Sequence, residues 1–199
     1  MIVPIGEWVL FRACAFARSF QEEGYGKFTI SVNISVIQML QDDFVDIVLR
    51  ALEDSGLEPG LLELEITESL IMESFDILVP KLAFLRSKGI LVALDDFGTG
   101  YSSLGSLQDM PITTLKIDKT FIEHVSDEGD PLSLAKAIVL IGRKMGLKVV
   151  AEGVETEQQM KYVKRAKCDM IQGYFISKPL SEEQTIELIR SKRVYNISR

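Results

Sequence analysis

The sequence predicts an α/β fold in which a parallel sheet is covered by helices. Short runs of β-branched and aliphatic residues, such as 61–67 (LLELEIT) and 90–95 (ILVALD), alternate with longer segments whose apolar residues recur at helical spacing. This alternation continues without a linker or a change of composition through residues 1–192. Strands that alternate with helices are typical of βαβ units, whose strands are parallel. We therefore expect one domain over 1–192, followed by a tail over 193–199.

The first helix is predicted over 4–23, because its apolar residues recur at helical spacing and Gly24 follows its last turn. Its aromatic side chains are expected in the core, namely Trp8, Phe11, Phe16 and Phe20.

Six strands are predicted after this helix, each followed by a helix of its own. Glycines mark several helix ends, and Pro80 predicts that the first turn of one helix is either kinked or not yet helical. The strands are expected over 28–34, 61–67, 90–95, 113–117, 147–151 and 169–175. The helices are expected over 42–54, 74–88, 103–109, 132–145, 156–166 and 181–192, with a polar connection over 119–130.

The composition is that of a globular protein and argues against several functional classes. The 199 residues include 22 Lys and Arg and 29 Asp and Glu, which give a formal net charge of −7. No apolar run approaches the roughly 18–20 residues of a membrane helix, and no basic segment precedes the first apolar stretch. The acidic balance argues against a nucleic-acid polymer as partner. We expect a cytoplasmic protein, with no membrane segment in this chain, whose isolated Cys14 and Cys168 remain reduced.

Polar side chains lie at or near the carboxyl ends of the predicted strands. Carboxyl ends of the strands in a (β/α) barrel meet at one mouth, where the active sites of such barrels lie. Spacings of 20 to 36 residues between successive members fit one strand and one helix each. In strand order these residues are Asn33, Glu65 with Glu68, Asp95 with Asp96, Lys116 with Asp118, Glu152 with Glu155, and Gln172.

Oxygen donors of this kind, without His or Cys, favour hard cations such as Mg²⁺, Mn²⁺ or Ca²⁺. A lysine beside such a cluster can neutralise developing charge or orient a water molecule. Metal-assisted attack of water on a phosphodiester is the reaction class that this set favours. The alternative stays open that each residue is only a helix cap or a partner in a surface ion pair.

Six segments of the sequence resemble the EAL-domain family of cyclic di-GMP phosphodiesterases, in the family's order. The resemblance covers about residues 4–190, and ALDDFGTGYSSL and VVAEGVET are its most specific motifs. The segments are SVNIS (31–35), LELEITES (62–69), ALDDFGTGYSSL (93–104), LKIDKTFI (115–122), VVAEGVET (149–156) and QGYFISKPL (172–180).

The resemblance implies a TIM-like (β/α) barrel that hydrolyses cyclic di-GMP to linear pGpG with two Mg²⁺ or Mn²⁺ ions. It implies metal ligands at Asn33, Glu65, Asp95, Asp96 and Glu152. Lys116, Glu152, Asp96 and Gln172 match catalytic or site-lining positions, and Glu68 and Glu155 match residues that anchor the loop 97–103. In the family this loop is linked to homodimer contacts, which here implies Phe97, Gly98, Thr99, Gly100, Tyr101 and Ser102. Regulatory or GGDEF domains are the usual partners of such domains.

The sequence departs from the family's pattern at its start, because no Glu-Ala-Leu tripeptide occurs in it. In the family, the strand with this motif carries a further glutamate ligand and precedes the segment that resembles IVPIGEW (2–8). We therefore expect a barrel with six of eight strands and impaired hydrolysis. The alternatives are a non-catalytic module that binds cyclic di-GMP or another protein, and an incomplete fragment with no independent function.

Overall fold

The computed structural model describes residues 1–98, 104–123 and 134–191, in which helices and strands alternate. The strands are β1 (Ile30–Asn33), β2 (Leu62–Thr67), β3 (Leu91–Phe97), β4 (Thr114–Ile117), β5 (Lys148–Ala151) and β6 (Met170–Ile171). The first five helices are α1 (Ile2–Glu22), α2 (Val36–Met39), α3 (Phe44–Ser55), α4 (Glu68–Glu73) and α5 (Phe75–Ser87). The others are α6 (Leu104–Asp109), α7 (Thr120–Glu123), α8 (Leu134–Lys144), α9 (Glu157–Ala166) and α10 (Glu182–Arg190).

The chain forms two compact units, one over Met1–Leu94 and Ser102–Ile112, the other over Asp95–Tyr101 and Thr113–Arg199. In the first unit, β1 pairs with β2 in parallel, and the strand order continues to β3. In the second unit, β4 pairs with β5 and β5 with β6, again in parallel. The prediction of a parallel α/β fold with six strands is therefore confirmed over the described residues.

The core of the first unit is built on β2, both faces of which are covered. Leu62, Leu64 and Ile66 are fully buried, and the alternate residues Glu63 and Glu65 are only 6% and 7% exposed. Burial of both faces is characteristic of parallel strands that lie beneath crossover helices. Glu65 is thereby held within the protein interior instead of on a solvated face.

In the second unit, β4 and β5 supply the corresponding core. Leu115, Ile117, Val149 and Ala151 are fully buried, and α8 and α9 add further buried aliphatic residues. Lys116 lies between Leu115 and Ile117 on β4 and is itself 3% exposed. A buried lysine requires charged or polar partners, because desolvation of an unpaired ammonium group costs several kcal/mol.

The prediction that the four aromatic residues of α1 belong to the core is wrong for Trp8, which is 67% exposed. Phe20 is buried, whereas Phe11 and Phe16 are half-buried. The buried face of α1 instead carries Gly6, Leu10, Cys14, Ala17 and Phe20. Trp8 lies two positions before Leu10, which is about 200° around the helix, so the indole points away from that face.

Three short helices, α2, α4 and α7, were not predicted, and α5 continues through Pro80. A capping box starts α2, in which the Ser35 hydroxyl accepts from the backbone N–H of Gln38. The alternative of a non-helical first turn before Pro80 is wrong, because α5 begins at Phe75. Strand β6 is shorter than predicted and comprises only Met170 and Ile171.

No helix of the described residues is both apolar enough and long enough to span a bilayer. The two cysteines are unpaired and buried. Burial raises the pKa of the Cys14 thiol to about 11, and burial together with the charge of Asp169 raises that of Cys168 to about 12. The tail over 193–199 lies outside the described residues, so the predicted boundary at 192 stays a prediction.

Candidate metal centre

Lys116 is the charged centre of a cluster in the second unit. Its Nζ lies 3.0 Å from Asp95 Oδ1 and 2.8 Å from Glu152 Oε1. The side chains of Lys116, Asp95 and Glu152 are 4%, 13% and 15% exposed, so both ion pairs are largely removed from solvent. Three neighbouring segments therefore converge here: the end of β3, the middle of β4 and the residue that follows β5.

Asp96 joins this cluster because its backbone leaves the normal geometry of a strand. Its φ of +54° is left-handed, which is rare for a residue other than glycine and least unfavourable for Asp and Asn. Consecutive side chains of a regular strand point to opposite faces. The left-handed residue breaks that alternation, and the Asp96 N–H donates to Asp95 Oδ1 over 3.1 Å. The two consecutive aspartates can thus contribute to one site.

The three carboxylates of Asp95, Asp96 and Glu152 each place one oxygen within 4.8 Å of the others. A cation that binds oxygen at about 2.1–2.6 Å holds opposite ligands about 4–5 Å apart. The donor set contains only oxygen, which suits Mg²⁺, Mn²⁺ or Ca²⁺ better than a soft metal. These residues therefore fit a hard divalent cation.

Asp96 and Asp118 form a pair of carboxyl groups beside this cluster. Burial, the negative charges of Asp95 and Asp118 and a hydrogen bond to Asp118 raise the pKa of Asp96. Burial acts in the same direction on Asp118, but hydrogen bonds from the hydroxyl and N–H of Thr120 and from Asp96 outweigh it and lower its pKa. Asp96 therefore keeps its proton to a higher pH than an ordinary aspartate, and Asp118 stays ionised to a lower pH.

A cavity of about 480 Å³ opens beside the acidic cluster, a volume within the range of small-molecule sites. Asp96 and Glu152 form part of its wall, so the cluster faces the space that a ligand would fill. The remaining lining residues are Asp118, Lys119, Gly153, Glu155, Gln172, Gly173, Tyr174, Ser177, Lys178 and Pro179.

Gln172, which the sequence predicts as a site-lining residue, lies at this cavity, and Glu155 lies there as well. Gln172 follows β6, and its N–H donates to Ala151 O over 2.8 Å. Glu155 follows β5, and its N–H donates to Gln159 Oε1 over 2.7 Å. The predicted role of Glu155 in anchoring the loop 97–103 stays a prediction.

Asn33, Glu65 and Glu68 belong to the first unit. Asn33 ends β1 and lies opposite Glu65 of β2 in the parallel register. Glu65 is 7% exposed, and Glu68, at the start of α4, is 1% exposed. The structure therefore brings Asn33 and Glu65 side by side at the carboxyl ends of adjacent strands, as predicted, and their role as ligands stays a prediction.

Phe97 and Gly98 are the described part of the predicted dimer loop. Phe97 is 8% exposed, and Gly98 has a φ of +99°. A Cβ at Gly98 would lie 2.8 Å from the Phe121 ring, so this position requires glycine on two grounds. The other residues of the predicted dimer loop lie outside the described residues, namely Thr99, Gly100, Tyr101 and Ser102. The predicted dimer contact therefore stays a prediction.

Tyr174, Ser177 and Lys178 lie at the cavity but were not predicted there, and Asp118 was predicted at a strand end without a specific role. Lys178 Nζ lies 5.9 Å from the centre of the Tyr174 ring, and this ring is 56% exposed. Tyr174 was predicted inside the strand 169–175, whereas β6 ends at Ile171, so its place at the cavity was not predictable from the strand pattern. No feature of the sequence indicates the hydrogen bond between Asp118 and Asp96, because it depends on the left-handed backbone at Asp96.

Comparison with known proteins identifies related sequences over nearly the whole chain. The bifunctional diguanylate cyclase/cyclic di-GMP phosphodiesterase MucR of Pseudomonas aeruginosa is 42% identical over 186 residues, which is 94% of this chain and 27% of MucR. The cyclic di-GMP phosphodiesterase NbdA of the same species is 40% identical over 193 residues, which is 97% of this chain and 25% of NbdA. The chain thus spans about a quarter of the length of these curated relatives.

The solved structure of the PaMucR phosphodiesterase in complex with c-di-GMP has the same fold. The two superpose with a TM-score of 0.87 and 42% identity, over 92% of this chain and 74% of that one. The family model of the EAL domain matches residues 1–179. This match covers most of the chain, and the acidic strand ends described above lie within it. The protein therefore belongs to the EAL domain family.

Proposed function

We propose that this chain is a metal-dependent phosphodiesterase domain that hydrolyses cyclic di-GMP to linear pGpG. The observation that carries the proposal is the carboxylate cluster of Asp95, Asp96 and Glu152, with Lys116 inside it, beside a cavity of about 480 Å³. The membership in the EAL domain family and the names of MucR and NbdA support the choice of substrate.

In this proposal, Asp95, Asp96 and Glu152 hold a divalent cation, Mg²⁺ or Mn²⁺. The resemblance to the family implies two ions and adds Asn33 and Glu65 of the first unit as candidate ligands. When bound, the cations supply Lewis-acid charge that favours attack of water on the phosphodiester phosphorus. One P–O bond forms to the water oxygen and the P–O3′ bond breaks, so the linear product carries a 5′-phosphate and a free 3′-hydroxyl.

The protein's own groups orient the reactants and balance charge. Asp95 and Glu152 hold Lys116 Nζ at 3.0 and 2.8 Å, so the position of this ammonium group in the cluster is fixed. An ammonium group in this position can orient the attacking water and offset negative charge at the phosphate. The amide of Gln172 and the ring of Tyr174, both at the cavity, offer contacts for phosphate oxygens and for a guanine base.

A steady-state assay with cyclic di-GMP and Mn²⁺ tests this proposal on the purified chain. We expect Asp95→Asn to reduce product formation by 100-fold or more, because it removes a metal ligand and a partner of Lys116. Glu157→Gln is the matched control, since Glu157 is a carboxylate of the same unit whose side chain is 73% exposed and pairs with Lys161 on the surface. This control should retain full activity.

Equal rates for wild type and Asp95→Asn would contradict the proposal. Binding of cyclic di-GMP without any linear product, in Mg²⁺ and in Mn²⁺, would instead identify the chain as a ligand-binding module.

A further inference from the structure

The loop that follows β5 carries Glu152 and is fixed to the segments on both sides of it. On one side, the N–H of Glu152 donates to Ile117 O at the end of β4 over 3.1 Å. On the other side, the N–H of Val154 donates to Gln172 O over 3.1 Å, and Val154 O accepts from the N–H of Phe175 over 2.9 Å. The backbone on each side of Glu152 thus has little freedom to move.

Gly173 lies directly on the backbone of this loop. A Cβ at Gly173 would be 2.2 Å from Val154 O and 2.4 Å from Val154 N. Both distances are far inside van der Waals contact, and the atoms concerned are backbone atoms, which cannot rotate aside as the tip of a side chain can. A methyl group at Gly173 must therefore displace either its own segment or the loop with Glu152.

Gly153 makes a similar approach on the opposite side. A Cβ there would be 2.5 Å from Lys119 Cβ and 3.3 Å from Lys119 Cα, just beyond β4. Its φ of +65° is also left-handed, so any other residue would be strained at this position. Gly153 directly follows Glu152, and a shift of its backbone moves the Glu152 carboxylate.

We propose that Gly153 and Gly173 are positioning residues that place Glu152 for metal binding. Metal–oxygen distances in binding sites vary by only about 0.2 Å. A loop displaced by one added methyl group therefore no longer presents the Glu152 carboxylate beside Asp95 and Asp96. This inference rests on the proposed function, since it assigns the purpose of the two close approaches to the metal site. Neither glycine has a side chain that could itself bind the metal.

Calorimetric titration with Mn²⁺, in the absence of cyclic di-GMP, measures the effect directly. We expect Gly153→Ala and Gly173→Ala each to weaken Mn²⁺ binding by about tenfold or more, the range found when groups that orient metal ligands are altered. Gly146→Ala is the control for Gly153, because Gly146 is left-handed at φ +74° with nothing within 4 Å of its Cβ position. Gly60→Ala is the control for Gly173, since its Cβ would meet only Gly89 O at 3.9 Å.

A loss confined to Mn²⁺ affinity separates positioning from general destabilisation. The two site variants should regain hydrolysis at saturating Mn²⁺, whereas both controls keep the affinity of the wild type even where strain lowers their unfolding temperature. Thermal unfolding without metal shows which variants are folded, and either site variant suffices if the other does not fold. An unchanged Mn²⁺ affinity in a folded site variant would overturn the inference. Failure of the wild type to bind Mn²⁺ would instead refute the proposed function.

Discussion

Lys116 is a residue whose position on a buried strand is explained only by its partners. It lies between two fully buried aliphatic residues of β4, and its Nζ contacts the carboxylates of Asp95 and Glu152. An ammonium group removed from water is stabilised when it contacts two carboxylates, because their negative charge replaces the lost hydration. The positive charge of the ammonium group also offsets the mutual repulsion of the two neighbouring carboxylates.

Replacement of this lysine should therefore be costly for the folded state. We expect Lys116→Met to lower the free energy of unfolding by about 3–5 kcal/mol, because it leaves buried carboxylates without their counter-charge. Urea denaturation in metal-free buffer measures the change. Lys161→Met is the matched control. Its ion pair with Glu157 is 2.9 Å long, similar to the 2.8 and 3.0 Å ion pairs of Lys116, but the two side chains are 64% and 73% exposed. That control should change stability by less than about 1 kcal/mol, and equal losses in the two variants would argue against the assigned role of burial.

At the scale of the element, α9 and α10 begin with the same capping box in different surroundings. Thr156 caps α9 with Gln159, and Ser181 caps α10 with Gln184. Gln159 is 8% exposed and also donates through Nε2 to Ile122 O over 3.4 Å, which ties α9 to α7. Gln184 lies on an exposed surface. One local sequence motif thus serves as a simple cap at one helix and as a buried connection at another.

Truncation of the two glutamines should separate these roles. We expect Gln159→Ala to cost about 1–3 kcal/mol, because the backbone N–H groups of Glu155 and Thr156 lose their acceptor at a partly buried site. Gln184→Ala should cost no more than about 0.5 kcal/mol, since water replaces the lost side chain. Chemical denaturation of both variants provides the comparison. A loss at position 184 as large as that at 159 would show that the cap, and not the burial, determines the cost.

At the scale of the whole molecule, metal binding and folding should be linked. A ligand that binds only the folded state stabilises it by about 2.7 kcal/mol at 100 times its dissociation constant. The unfolded chain cannot hold Asp95, Asp96 and Glu152 within 4.8 Å of one another, so the proposed cation belongs to the folded state alone.

We therefore expect Mn²⁺ to raise the unfolding free energy of the chain and EDTA to reverse that gain. Thermal unfolding of the wild type and of Asp95→Asn, each with and without Mn²⁺, measures this linkage without any substrate. The variant should show little or no gain, because it lacks one ligand of the cluster. An equal Mn²⁺ effect on both proteins would place the ion elsewhere.

The strand and helix pattern of this chain was largely predictable, because alternating apolar runs report local structure directly. The predicted strands at 61–67, 113–117 and 147–151 agree with β2, β4 and β5 to within one residue at each end. The exposure of Trp8 was not predictable from spacing alone, since it depends on which face of α1 has a neighbour. The short helices α2 and α7 are set by single turns and lack the periodicity that marks longer helices.

By itself, the sequence determined the parallel α/β class and the oxygen chemistry of the site. Parallel strands end at the same edge of a sheet, so polar residues that close consecutive strands can be assigned to one region from their order alone. Only the tertiary structure decided which of them touch: Lys116 between Asp95 and Glu152, and Asp96 turned by its left-handed backbone toward Asp118. It also decided that Gly153 and Gly173 lie against neighbouring segments. These features depend on distances between segments remote in sequence and on one backbone dihedral, and neither is encoded in a local pattern of residues.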